Sequence, residues 1–129
     1  MKIINRCALS VAPRPPFLAW AKQLQAGRPL PAGASAQGLY LIDACESREE
    51  AWRFLERSHE QIFSAELQAW STDPATWPSP RNLAMFQEWF ELHFYDLVAD
   101  QSQHPLQHYE LDDSLLLDLR ELLRSSPAD

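Results

Sequence analysis

His59 and Glu66 stand seven residues apart in a stretch with helical periodicity. At 100° per residue they fall within about 20° of each other, two turns apart. Trp52, Leu55, Ile62, Phe63 and Trp70 share their arc, so both ionisable groups are expected on a core-facing surface. A carboxylate placed there either raises its pKa or finds a partner. One reading is an acid/base pair lining a pocket. The plainer one is a hydrogen-bonded polar pair, or a cleft edge where the helix meets solvent.

Cys45 is the second candidate. It follows a short apolar run, Leu39 to Ile42, and precedes a helix start at Ser47. A thiol near a helix N-terminus is open to a lowered pKa, and a couple with His59 or His93 would make a nucleophile. No local motif supports that couple, and free cysteine often serves as a small buried apolar residue.

His104 and His108 have a spacing that suits a metal ion on a helix, but Pro105 lies between them and disfavours that geometry. Only Glu110, Asp112 and Asp113 stand nearby to complete a site, so neither metal nor other cofactor is expected. Trp77 lies within the proline-rich loop Ser71 to Pro80, beside Arg81, and both are candidate binding residues, because tryptophan and arginine are enriched at binding hot spots. The alternative is that Trp77 plugs the core from outside. The chain has no Gly-rich phosphate loop, no His-Glu-x-x-His, no Cys-x-x-Cys and no Gly-x-Ser-x-Gly. An enzyme is therefore the less favoured reading.

The elements that would position these residues follow from the apolar pattern and its punctuation. Ile3 to Val11 reads as a strand that ends at a proline cluster. A helix from about Pro16 to Gln25 follows, with proline in its first turn, where a missing N–H costs nothing. Leu39 to Ile42 reads as a second strand. Ser47 with Glu50 forms a capping box and starts a helix towards Trp70, whose length invites a break near Ser58. Ser79-Pro80 predicts the next helix start, with Leu83, Phe86 and Phe90 on its inner face. Glu91 to Asp100 fits a third strand by composition, although no turn residue separates it from that helix. Asp112 to Ser114 caps a leucine-rich final helix.

Strands alternating with helices predict an α/β or α+β domain: about three short strands packed with three to four helices, the alternative being all-α. A length of 129 residues suits one domain, here 1–129 with a frayed tail from about 125. Five tryptophans predict a tryptophan-rich interior. Two distant cysteines make no disulfide framework. The apolar run from Cys7 to Ala12 is too short for a signal-peptide core, and no segment reaches the length of a membrane span, so a cytoplasmic location is expected.

The net charge of −7 is unevenly spread. Residues 1–42 carry five cations and no acid, whereas the rest holds all 18 acids against six arginines. Overall acidity argues against nucleic-acid binding and against adhesion to an anionic membrane. It suits a regulatory or inhibitor-type module that meets a basic protein partner. Self-association through the leucine-rich final helix is a further expectation, and a small ligand-binding domain or enzyme using His59, Glu66 and Cys45 is the alternative.

Overall fold

The computed structural model describes residues 1–30, 34 and 36–110. The leucine-rich helix predicted from Asp112, its role in self-association and the frayed tail fall outside these residues. Within them the chain is a mixed α/β fold with three helices and two small antiparallel sheets, which removes the all-α alternative.

The predicted first strand is two: β1 (Lys2–Ile3) and β2 (Arg6–Pro13). Strand β3 spans Gly38–Asp43, β4 Phe90–Tyr95 and β5 Ala99–Asp100. Strand β2 is the centre of a three-stranded sheet, with β3 and β4 antiparallel on either side, while β1 pairs with β5. The pairs Ala8–Tyr95 and Ile3–Ala99 bound the join between the two sheets, where the four residues Ile4 to Cys7 face the three residues Asp96 to Val98. The extra residue bends the ladder as a bulge does.

Alternation along the strands sorts the two faces. Cys7, Leu9 and Val11 point to the helices, with Ile42, Leu92 and Phe94 beside them. Ala8, Ser10 and Ala12 point the other way.

Helix α1 (Pro15–Leu24) carries proline in its first turn, as predicted. Helix α2 (Arg48–Gln68) runs unbroken through Ser58. Its 21 residues span roughly 32 Å. Ser47 caps it, accepting a hydrogen bond from the Glu50 N–H at 3.2 Å. The Glu50 carboxylate reaches back to the Glu46 N–H at 2.8 Å, one residue earlier than a strict capping box would place it. Ser47→Ala should therefore lower stability by about 1 kcal/mol, measurable by urea denaturation.

Helix α3 (Leu83–Trp89) does not start at Ser79-Pro80. Asn82 caps it, accepting from the Met85 N–H at 2.8 Å, and the Ser79–Pro80 bond, which is cis, belongs to the preceding loop. Phe90 then turns directly into β4. Its backbone is already extended (φ −136°, ψ 141°), yet its N–H still bonds the Phe86 carbonyl. The helix-to-strand change thus needs no turn residue.

The centre of the core is phenylalanine rather than tryptophan. Phe17, Phe63, Phe86 and Phe90 are sealed from solvent, and Phe90 lies 5.1–5.4 Å from the other three ring centroids. Four of the tryptophans pack partly buried against the core and Trp20 is buried in it, and the ring N–H groups of Trp20 and Trp77 reach backbone carbonyls. Trp20 donates to the Thr76 carbonyl at 2.8 Å and Trp77 to the Ser71 carbonyl at 2.9 Å. Such amphipathic placement is ordinary for tryptophan, which carries one donor that must be satisfied.

Candidate functional site

The face of the sheet turned away from the helices carries a trough. Its floor is the central strand β2, whose outward residues beyond Arg6 are small: Ala8, Ser10 and Ala12. Register sets larger neighbours beside them. Leu41 and Tyr95 flank Ala8, and Leu39 and His93 flank Ser10. The resulting cavity is about 390 Å³ and open to solvent, with Gln37 to Leu39 lining one side and Tyr95 and Leu97 to Ala99 the other. Its lining is mostly apolar apart from Gln37 and Ser10. Leu39 is 65% exposed and Leu97 68%, and Ile3, Leu41 and Tyr95 add to the same exposed apolar set.

Of the two polar exceptions, Ser10 is the buried one. Its hydroxyl is buried on the trough floor and has no hydrogen-bond partner among the described residues. A buried hydroxyl left unpaired costs about 1–3 kcal/mol. A ligand group that bonds it recovers that cost. The strands around the trough carry more acids than cations: Asp43, Glu91, Asp96 and Asp100 lie on or beside β3, β4 and β5, against Arg6 and Lys2. Both cations face acids across the ladder, Arg6 opposite Asp43 and Lys2 opposite Asp100.

No protein-family model, curated protein or solved structure matches this chain. The functional reading therefore rests on geometry.

The residues singled out by sequence fall elsewhere. Glu66 is 2% exposed, beneath β3, and accepts a short hydrogen bond from the Tyr40 hydroxyl. Gly38 leaves room for it: a Cβ there would come within 2.9 Å of a Glu66 carboxylate oxygen and 3.1 Å of the Tyr40 ring. His59 is half-buried against the Phe86 ring, and its Nδ1 lies 3.1 Å from the Leu55 and Glu56 carbonyls of its own helix. The two polar ends are thus engaged by different groups. Removing one of them should show in stability. Tyr40→Phe deletes a donor to a buried carboxyl and should cost about 1–3 kcal/mol in chemical denaturation.

Cys45 is half-buried, and its Sγ bonds the Asp43 carbonyl at 3.1 Å. Burial, then Cys7, Glu50 and Asp43, push its thiol above the usual range. That is opposite to the activation expected near a helix N-terminus, because the surrounding groups disfavour the thiolate. His93 stands exposed on the outer face and pairs with Glu91 at 3.4 Å. It does not meet Cys45.

Trp77 and Arg81 do come together. The guanidinium lies 5.5 Å from the Trp77 ring centroid, donates to the Pro78 carbonyl at 2.8 Å and reaches Glu60 on α2 at 3.9 Å. Trp77 packs the 71–81 loop onto the core, and Arg81 ties it to α2 through Glu60. His104 and His108 lie in exposed chain without helical structure, and no cluster of three or more metal-ligating side chains occurs among the described residues. No described helix is long and apolar enough to cross a membrane.

Two further cavities flank Cys45. One of about 360 Å³ is lined by Cys7, Cys45, Ser47, Arg48, Phe94 and Tyr95, among others, and one of about 210 Å³ by Asp43, Glu50, Arg53 and Arg57, among others. Neither His59 nor Glu66 lines any of the three cavities. The outer-face residues escaped sequence reasoning. Their only signal was the small-residue alternation of β2, which becomes informative once its neighbours are known.

Proposed function

We propose that this domain is a partner-binding module whose binding surface is the outer trough of the sheet. The observation that carries the reading is the unpartnered, buried Ser10 hydroxyl on the floor of an exposed apolar channel. Exposed apolar residues grouped in this way, unlike scattered ones, mark interaction surfaces. The occupant we infer is an amphipathic helix of another protein, with a leucine-type stripe and Lys/Arg flanks. A channel along a strand suits a helix, which seats one row of side chains over small floor residues. The surplus of acids on the surrounding strands favours basic flanks. A second copy of this chain would bring a like surplus against it, and residues 111–129 are themselves acidic. Charge thus disfavours both as occupants. The reading puts the module in the cytoplasm and requires no cofactor.

A display library of helical peptides panned against the full chain tests this reading. Enriched peptides should share an apolar stripe with basic flanks and should lose binding to the Leu39→Asp variant. Enrichment of acidic peptides, or equal binding to that variant, would contradict it.

A further inference from the structure

Cys7 and Cys45 meet at the end of the sheet, although 38 residues separate them. The Cys45 N–H donates to the Cys7 sulfur at 3.1 Å, and the Cys7 thiol lies 3.6 Å from the Cys45 carbonyl. The Cα of Cys45 is one bond beyond that nitrogen. The Cys7 sulfur is therefore no farther than about 4.6 Å from it. That is within disulfide reach once the Cys45 side chain turns from the Asp43 carbonyl. Both residues line the same 360 Å³ cavity, open to solvent, with Arg48 at its wall. Cys45 is the accessible member and Cys7 the buried one.

We propose that Cys7 and Cys45 form a dithiol site that is oxidised by low-molecular-weight disulfides of the glutathione type. In the first step the Cys45 thiolate attacks one sulfur of the oxidant. Its S–S bond breaks, one thiolate leaves and takes up the proton lost by Cys45, and a mixed disulfide forms on Cys45. In the second step the Cys7 sulfur attacks the Cys45 sulfur. The mixed bond breaks, the second small thiol leaves with the Cys7 proton, and the protein disulfide closes. Two electrons pass to the oxidant, which becomes two thiols. Arg48 offers a cation to the oxidant's carboxylates. The raised Cys45 thiol makes the first step slow at neutral pH and faster as pH rises, since only the thiolate attacks. The closed bond staples β2 to the connection between β3 and α2. It does not depend on the partner-binding reading.

The full chain, reduced and then treated with glutathione disulfide at mildly alkaline pH, supplies the test. Intact mass should show the loss of two hydrogens with no retained adduct, and non-reducing electrophoresis should show a monomer. The melting temperature should rise by roughly 10 °C, as closure of a loop of this length implies. Cys7→Ser should retain a single glutathione adduct on Cys45, and Cys45→Ser should stay unmodified while folded. The proposal is overturned if the wild type keeps a stable adduct, forms cross-linked dimers or retains both thiols. The wild-type result decides the matter even if a variant fails to fold.

Discussion

Phe63→Ala should lower the unfolding free energy by about 3–5 kcal/mol, the range for deleting a large buried ring. Phe63 is fully sealed on α2, and its ring lies 5.7 Å from Phe86, 5.6 Å from Trp89 and 5.4 Å from Phe90. Those three partners come from α3 and the first residue of β4. Truncation would leave a void between α2 and the helix-to-strand junction, and the surrounding rings have little freedom to refill it. Aromatic pairing adds roughly 0.5–1.5 kcal/mol beyond area burial. Urea denaturation followed by tryptophan fluorescence reads the effect, because Trp89 touches the same cluster. A loss below about 1 kcal/mol would mean that the ring is not the keystone its contacts describe.

Leu39→Asp should do the reverse. Leu39 is 65% exposed on the outer face of an edge strand and its side chain contributes little to the core. Stability should change by no more than about 1 kcal/mol, the span of strand propensity. Binding of a basic amphipathic helix should fall by about 30-fold or more, as for an apolar anchor at an interface. The added carboxylate would sit beside the buried Ser10 hydroxyl and would have to be desolvated on docking. Calorimetric titration with a selected peptide measures the binding loss, and denaturation of the same sample confirms the fold. Together the two substitutions separate the face that holds the domain together from the face that meets a partner.

Local signals carried the elements of this fold that sequence could reach. Ser47 with Glu50 starts α2 because a cap is a contact between residues three apart. The start of α3 was misplaced because two capping signals stand three residues apart. Ser79-Pro80 offers one and Asn82 the other, and only Asn82 has a following N–H that closes on its side chain. The passage from α3 to β4 was legible by composition. Its missing turn is explained by Phe90, which ends the helix and begins the strand with one backbone conformation.

The candidate site was less legible, for a physical reason. Helical periodicity placed Glu66 on the buried face, and it is buried. Periodicity could not name Tyr40, 26 residues earlier, as the group that bonds it. The outer trough likewise exists only through register: Ala8 and Ser10 are unremarkable until β3 and β4 set Leu41, Tyr95, Leu39 and His93 around them. Tryptophan abundance pointed rightly to the aromatic cluster that Trp20 and Trp89 share with Phe17 and Phe63, though not to its centre. It indicated aromatic packing, but phenylalanine, with no polar atom to satisfy, takes the sealed centre.

The most direct measurement is a map of backbone amide shifts on the full chain, titrated with a basic amphipathic peptide from the display selection. Perturbations should concentrate at Ala8, Ser10, Leu39, Leu41, Tyr95 and Leu97. A footprint on α1 to α3, or at Trp77 and Arg81, with the outer face unmoved, would contradict it.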